Sequence, residues 1–218
     1  MIEKYRLILK NSPLFKDIDE ERYSDVLRLL DNKIRSYDKG ETIIRFGDRI
    51  QSAGIVIEGS VEGTFFNEGY NEISMSRFTK GMIFGEALAS LNTNNSPMEV
   101  KALEKTMVLF LKLSKLQDVS ADPNLARTLY KNLVFLLAQK NAFLNLKVRI
   151  LSQKSLKDKI IMYISSLPED CDGYHTIPFN KTSLASFLNA NRSALERELS
   201  KMVNDHIVTI NRRKIKIH

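Results

Sequence analysis

Hydrophobic positions change their spacing along the chain. Over residues 3–31 apolar side chains recur at roughly helical intervals, which predicts short helices. From Lys33 to about Leu113 the pattern changes to short runs with β-branched residues, and this stretch holds eight of the nine glycines. The strand-like runs cover residues 42–44, 55–57, 61–66, 73–75 and 108–111. Many short strands at near-regular spacing predict an antiparallel β-barrel or jelly roll.

A glycine-free stretch from Pro123 to about Ser152 predicts one long helix. β-branched residues and one asparagine recur every seven residues, and a second series lies three residues further on. Together the two series are Tyr130, Val134, Leu137, Asn141, Leu144, Val148 and Leu151. Val at a and Leu at d favour a parallel two-stranded coiled coil, in which one buried Asn fixes the register. The pattern predicts a homodimer interface along this helix.

A second apolar stripe on the same helix has the spacing to pack on the barrel. It consists of Leu125, Leu129, Leu133 and Leu136. The alternative interpretation of the whole segment is a single amphipathic helix that lies on its own domain.

The last third of the chain carries a series of helix-start signals. Ser155 with Asp158 forms a capping box, which predicts a hinge at residues 151–155 and a helix from there to Ser166. A short extended piece at 176–179 precedes Asn180, a good N-cap for a helix at 181–188. Residues 189–191 make a turn, in which asparagine tolerates the left-handed conformation, and Asn191 can cap a helix at 192–204.

The two predicted helices have apolar faces that would hold them together. These faces consist of Leu184, Phe187, Leu188, Leu195, Leu199, Met202 and Val203. Beyond them, residues 207–210 and 214–217 flank a basic tip, which predicts a hairpin. Two capped helices, a tight turn and a basic hairpin are typical of a winged helix-turn-helix.

The start of the second helix of such a motif enters the major groove of DNA. Arg192, Ser193, Glu196 and Arg197 occupy that first turn and a half on one face. An arginine fork matches the O6 and N7 atoms of guanine, so the two arginines are the candidate base readers. The candidate phosphate contacts are Lys181, Lys201, Arg212, Arg213 and Lys214. The alternative is that both arginines pair with Glu196 and Glu198 on a solvated helix.

Charge is distributed unevenly between the two halves. Residues 1–118 hold 17 Lys and Arg against 18 Asp and Glu, residues 119–151 hold 5 against 1, and residues 152–218 hold 11 against 7. The basic excess therefore lies where the predicted DNA-binding motif lies, although a solvated basic surface would give the same count.

Other function classes find little support in the residues. A metal enzyme with a jelly-roll fold needs two or three histidines on its strands, and residues 1–118 contain none. The single cysteine, Cys171, supplies no ligand set for a cluster or zinc, so we expect neither an enzyme, nor a metal, nor a cofactor. The polar N-terminus and the absence of a long apolar run lead us to expect a cytoplasmic protein.

The whole chain resembles the Crp/Fnr family of bacterial transcription regulators. The matching segments are 183–188, 191–199 and the turns Lys39-Gly40-Glu41, Phe46-Gly47-Asp48, Ile57-Glu58-Gly59 and Phe84-Gly85-Glu86. The resemblance implies an α+β architecture in three parts: a sensor β-barrel at 1–122, a dimerisation helix and hinge at 123–152, and a winged helix-turn-helix at 153–218. It also implies that Arg192 and Arg197 read bases. The family often has glutamate where this chain has Ser193, so a different operator is expected.

The resemblance implies an effector pocket behind Phe84, Gly85, Glu86 and Ala87, closed on one side by the long helix around Arg127, Lys131 and Asn141. In members that bind cyclic AMP, the glutamate matched by Glu86 holds the ribose, and an Arg-Ser pair grips the phosphate. Here Ser96-Pro97 stands in place of that pair. Serine supplies no positive charge and proline lacks a backbone donor, so we expect the usual cyclic AMP grip to be missing.

The implied partners are a palindromic double-stranded DNA operator, a second copy of the chain, RNA polymerase and a small-molecule effector that the sequence does not identify. No membrane partner is expected. The alternative function is a cyclic-nucleotide-binding regulatory module that does not contact DNA.

Overall fold

The computed structural model describes residues 5–66, 72–117, 122–178 and 180–218, with the side chains of 72–75 left out. It divides into two compact units, Met1–Ala138 and Gln139–His218. The division falls inside the long helix, whereas the sequence pattern placed boundaries before and after that helix. Each unit is described separately below.

Short helices open the N-terminal unit, as the apolar spacing predicted. They are α1 (Arg6–Lys10), single 3₁₀ turns at Pro13–Phe15 and Glu20–Arg22, and α2 (Tyr23–Leu29). Their apolar side chains enter the core of this unit, where Phe15 packs edge-on against Tyr23 with 5.0 Å between ring centroids.

Two antiparallel sheets make up most of the N-terminal unit. One sheet has the order β1-β8-β3-β6, formed by Lys33–Tyr37, Thr106–Leu111, Ala53–Glu58 and Ile83–Phe84. The other has the order β2-β7-β4-β5, formed by Thr42–Ile44, Met98–Ala102, Ser60–Phe66 and Glu72–Thr79. Buried residues of both sheets share one core. Strand pairing among the described residues does not join the sheets, so the fold is a jelly-roll sandwich and not a closed barrel.

All five predicted strands are present, and three strands were not predicted. In β7 the buried Met98, Val100 and Ala102 alternate with Glu99 and Lys101, a two-residue period that the charged positions obscured. β6 has only two residues, and β1 is mostly exposed, so neither carries a readable hydrophobic pattern.

The long helix α4 spans Pro123–Leu151. Its predicted second stripe of leucines is buried in the core of the N-terminal unit, as expected. Asn132, on the same side, is also buried, and its amide donates to the carbonyls of Leu14 at 3.0 Å and Lys16 at 2.6 Å. Near the helix start, Arg22 pairs with Asp122. These polar contacts hold the start and middle of α4 against the segment that contains the two N-terminal 3₁₀ turns.

The C-terminal unit is built from helices and a small sheet. The helices after α4 are α5 (Leu156–Ser165), α6 (Lys181–Phe187) and α7 (Arg192–Asn204). The strands β9 (His175–Thr176), β10 (Val208–Asn211) and β11 (Lys214–Ile217) pair antiparallel in the order β10-β11-β9. Phe179, part of the predicted extended piece, lies outside the described residues.

The predicted caps are confirmed in this unit. The Asn180 side chain accepts from the amide of Ser183 at 2.8 Å, and that of Asn191 accepts from Ala194 at 2.7 Å. Ser155 caps α5 by accepting from Asp158 at 3.0 Å. Asn189 adopts the left-handed conformation with φ of 53°.

The prediction is wrong for one core residue of the C-terminal unit. Val203 is 38% exposed, while the other predicted members of the apolar faces are buried. Val203 is the second-last residue of α7. Its side chain faces a surface groove between this helix and the hairpin.

We expect Asn132→Ala to lower the free energy of unfolding by about 2 kcal/mol, because it leaves two backbone carbonyls without their buried donor. Chemical denaturation at a fixed protein concentration measures the change. Asn124→Ala, an exposed asparagine in the first turn of α4, is the matched control. Equal losses in the two variants would contradict the role of Asn132.

Candidate functional site

The exposed face of α7 gathers the predicted base readers. Leu195, Leu199 and Met202 are buried, which turns the opposite face outward. Arg192, Ser193 and Arg197 are all exposed, at the end of the helix that Asn191 caps. The structure therefore brings them together on one accessible face of the helix N-terminus.

Glu196 lies between two cations on this face. Its Oε1 accepts from Nε of Arg192 at 3.1 Å and lies 3.7 Å from Nζ of Lys181, at the start of α6. The hydrogen bond from Arg192 is the main reason that the pKa of the Glu196 carboxyl is lowered. The pairing of Arg192 with Glu196 that the sequence left open is thus present. Such exposed pairs contribute little to stability, so the arginine remains available to a ligand.

Arg197 makes a different contact, since its Nε donates to the backbone carbonyl of Ser193 at 3.4 Å. Ser200 lies three residues after Arg197, and Asn204 lies four residues after Ser200, so both continue the same face of α7. Both are exposed. Sequence reasoning did not select these two residues. Their helical spacing from Arg197 was the signal that could have found them.

Two of the three predicted cations of the hairpin lie at its turn. Arg212 and Arg213 are exposed at the turn between β10 and β11, where Arg212 has φ of 55°. Lys214 instead forms an ion pair with Asp170, with 2.8 Å between Nζ and Oδ2, and this contact lowers the pKa of Asp170. Lys214 thus holds the turn end of β11 against the loop that contains Asp170.

A groove of about 620 Å³ runs between α6, α7 and the hairpin. Lys181, Arg212 and Arg213 line it, and its apolar lining includes Leu199, Val203 and Ile210. Three cations around an elongated groove suit a polyanion strand. Lys201 is exposed on α7 next to Arg197, where a second, shallower groove includes both residues.

The predicted effector residues in the N-terminal unit are mostly interior. Phe84 is fully buried, with its ring centroid 5.7 Å from that of Phe78. A Cβ on Gly54 would lie 2.3 Å from this ring, so glycine is required beneath it. Gly85 turns the chain with φ of 70° into α3 (Glu86–Ser90). Glu86 is buried at the start of α3, and Ala87 is exposed.

Ser96 is fully buried, and its hydroxyl is engaged by the backbone. The hydroxyl donates to the carbonyl of Met98 at 2.8 Å and accepts from the Met98 amide at 3.2 Å. The Ser96 backbone is bonded to Gly47 and Asp48, which joins two loops. Pro97 accepts at its carbonyl from Phe66. Arg127 lies exposed on α4.

The heptad stripe of α4 is the most exposed apolar series on this helix. The side chains of Val134, Val148 and Leu144 are 64%, 63% and 57% exposed, and Tyr130 is 37% exposed. Asn141 is also exposed, while Leu137 and Leu151 are half-buried. A regular exposed stripe of this kind is typical of an interface with another helix.

Part of the N-terminal unit is similar to a known domain family. Residues 34–122 match the family model described as the cyclic nucleotide-binding domain. Human cGMP-dependent protein kinase 2 is 32% identical over 85 residues, which is 38% of this chain and 11% of the kinase. The chain thus spans about a tenth of the length of the curated relatives it matches.

Solved structures share the fold over nearly the whole chain. The c-di-GMP-responsive global regulator CLP of Xanthomonas campestris has a TM-score of 0.59 at 18% identity, covering 92% of this chain and 99% of that one. The catabolite activator protein of Thermus thermophilus has a TM-score of 0.50 at 20% identity, covering 95% and 94%.

Two kinds of feature are absent from the described residues. None of their helices is long and apolar enough to span a bilayer. They also hold no group of three or more His, Cys, Asp or Glu side chains suited to a metal ion.

Proposed function

We propose that this chain is a transcription regulator of the Crp/Fnr type that binds DNA through a winged helix-turn-helix at its C-terminus. The observation that carries the proposal is the capped N-terminus of α7, whose exposed face presents Arg192 and Arg197 beside a basic hairpin. The full-length fold likeness to regulators, one of which links signalling to gene expression, supports it. Such a regulator acts in the cytoplasm, where bacterial DNA lies, and an activator would also contact RNA polymerase.

The proposed roles of the site residues follow from their exposure. Arg192 and Arg197 read guanines through paired N–H donors, while Ser193 and Glu196 face the same groove. We assign the phosphate contacts to Lys181, Lys201, Arg212 and Arg213. Lys214 has its primary role in holding the hairpin through Asp170, and it contacts a phosphate only if that pair opens.

A cyclic-nucleotide-binding regulatory module without DNA contact is the second candidate. The domain match over residues 34–122 supports it as well as it supports a regulator. That function gives no role, however, to the exposed cations of α7 and the hairpin, which is why we prefer DNA binding.

We propose that the exposed heptad stripe of α4 pairs with that of a second copy. The proposed interface consists of Tyr130, Val134, Leu137, Asn141, Leu144, Val148 and Leu151. Burying the stripe removes apolar surface from water, and a two-fold axis along the helices matches a palindromic operator.

We propose that the effector is not held by the phosphate grip that the resemblance implies. The Ser96 hydroxyl is already bonded to the backbone of Met98, and no positive charge stands at this position or at Pro97. The pocket that we expect behind Phe84 and Glu86, with Gly85, Ala87 and Arg127 around it, therefore takes another small molecule, or the protein binds DNA without one.

Arg192→Ala and Arg197→Ala should each abolish most of the preference for a selected site over random DNA, because each removes a bidentate base contact of about 1–3 kcal/mol. The selected site comes from a random-sequence library, and titrations measure both affinities. Lys201→Ala is the control, since loss of a phosphate contact should weaken binding to all sequences alike. An unchanged specificity ratio in both arginine variants would reject the assignment.

Leu137→Lys combined with Leu144→Lys should give monomers in sedimentation equilibrium, because two charges enter an apolar seam. Gln139→Lys combined with Ala142→Lys adds the same charge to exposed positions outside the stripe and should leave the dimer intact. Asn141→Val should raise the melting temperature if two Asn141 side chains meet. A dimer that survives the leucine changes would place the interface elsewhere.

Neither cyclic AMP nor cyclic GMP should raise operator affinity, because charge-assisted contacts to their phosphate are missing. Calorimetry with both nucleotides, together with operator titrations, tests this. Micromolar binding with a matching gain in DNA affinity would refute the prediction. A thermal-shift screen of metabolites then seeks the effector, since a ligand at 100 times its Kd stabilises the fold by about 2.7 kcal/mol.

A further inference from the structure

Among the four residues of α7 proposed to enter the major groove, Glu196 is the acidic one. It lies one helical turn after Arg192 on the face proposed to meet DNA, and its side chain is 37% exposed. DNA phosphates repel a carboxylate, so this residue lowers affinity for any sequence. The contacts that Glu196 makes with Arg192 and Lys181 indicate what it contributes in return for this loss of affinity.

The contacts of Glu196 determine which edge of Arg192 is free. A guanidinium has five N–H donors in a fixed fork. Because Nε of Arg192 donates to Oε1 of Glu196 at 3.1 Å, the two terminal amino groups remain for an outside acceptor pair. Two parallel N–H donors are what the O6 and N7 atoms of guanine accept.

Lys181 holds the same carboxylate from a second element. Its Nζ lies 3.7 Å from Oε1, so one oxygen of Glu196 links the first residue of α6 to the first residue of α7. The carboxylate is thus restrained from two directions. A restrained carboxylate reduces the orientations open to the Arg192 guanidinium before DNA arrives.

We propose that Glu196 is a positioning residue that fixes the Arg192 fork for one base pair and lowers affinity for all other DNA. Specificity then rises because Arg192, while the carboxylate holds it, cannot turn away from a wrong base pair to make a loose contact with a phosphate. This inference rests on the proposed function, since it assigns a role within the DNA-binding face.

The experiment uses the full chain with Glu196→Gln, which keeps the shape and removes the charge. Glu198→Gln is the matched control, because it removes the same charge from the same helix. Affinity is measured for the selected operator, for random DNA, and for operators altered at one base pair at a time. The same set is repeated in the Arg192→Ala background.

We expect Glu196→Gln to bind random DNA more tightly than Glu198→Gln does. We also expect its discrimination at a single base pair to fall about fivefold, which is the lower end of what an arginine–guanine pair supplies. In the Arg192→Ala background, Glu196→Gln should leave discrimination at that base pair unchanged, because the group that it positions is gone.

Equal effects of the two Gln variants would overturn the positioning role and leave only a general charge effect. A loss of discrimination that persists without Arg192 would overturn it in favour of direct base contact by Glu196. In both cases Arg192→Ala still loses specificity, so the proposed function stands. If the unaltered protein shows no sequence preference at all, the proposed function fails and this inference fails with it.

Discussion

Two apolar stripes run along α4, and one of them anchors the helix in the N-terminal unit. One stripe of leucines is buried in the jelly-roll core, and Asn132 fixes its position through two backbone carbonyls. The heptad stripe lies on the adjacent face of the helix, where Val134, Leu144 and Val148 are exposed while Leu137 is half-buried. A helix with an exposed apolar stripe is stabilised when a second helix covers it. The same packing that stabilises one chain therefore prepares the proposed dimer.

Side-chain caps have an equally direct role in the C-terminal unit. Asn180 and Asn191 each satisfy a backbone amide at a helix start, and Asn189 supplies the left-handed residue between the two helices. Asn180 sets where α6 begins, and Asn191, together with the turn at Asn189, sets where α7 begins. Consequently they also set which residues, Arg192 foremost, stand at the proposed entry into the major groove.

Close packing and one left-handed glycine shape the turn into α3 in the N-terminal unit. Gly54, Phe84 and Gly85 preserve the turn into α3, with the Phe84 ring closely packed over Gly54. At the position where the sequence resemblance predicted a phosphate grip, the hydroxyl and backbone of Ser96 form hydrogen bonds that join two loops.

The sequence alone predicted α4, α5, α6 and α7, their caps, five strands of the N-terminal unit, both strands of the C-terminal hairpin and the exposed position of Arg192 and Arg197. These features depend on residues close together in the chain, so spacing and capping chemistry suffice to predict them. Only the tertiary structure decided that the sheets stay open as a sandwich and that Val203 is exposed. It alone also decided that Lys214 pairs with Asp170 and that Glu196 joins Arg192 to Lys181. The pairs with Asp170 and Lys181 connect residues that are distant in sequence, and which of several carboxylates a lysine meets depends on the packing of whole elements.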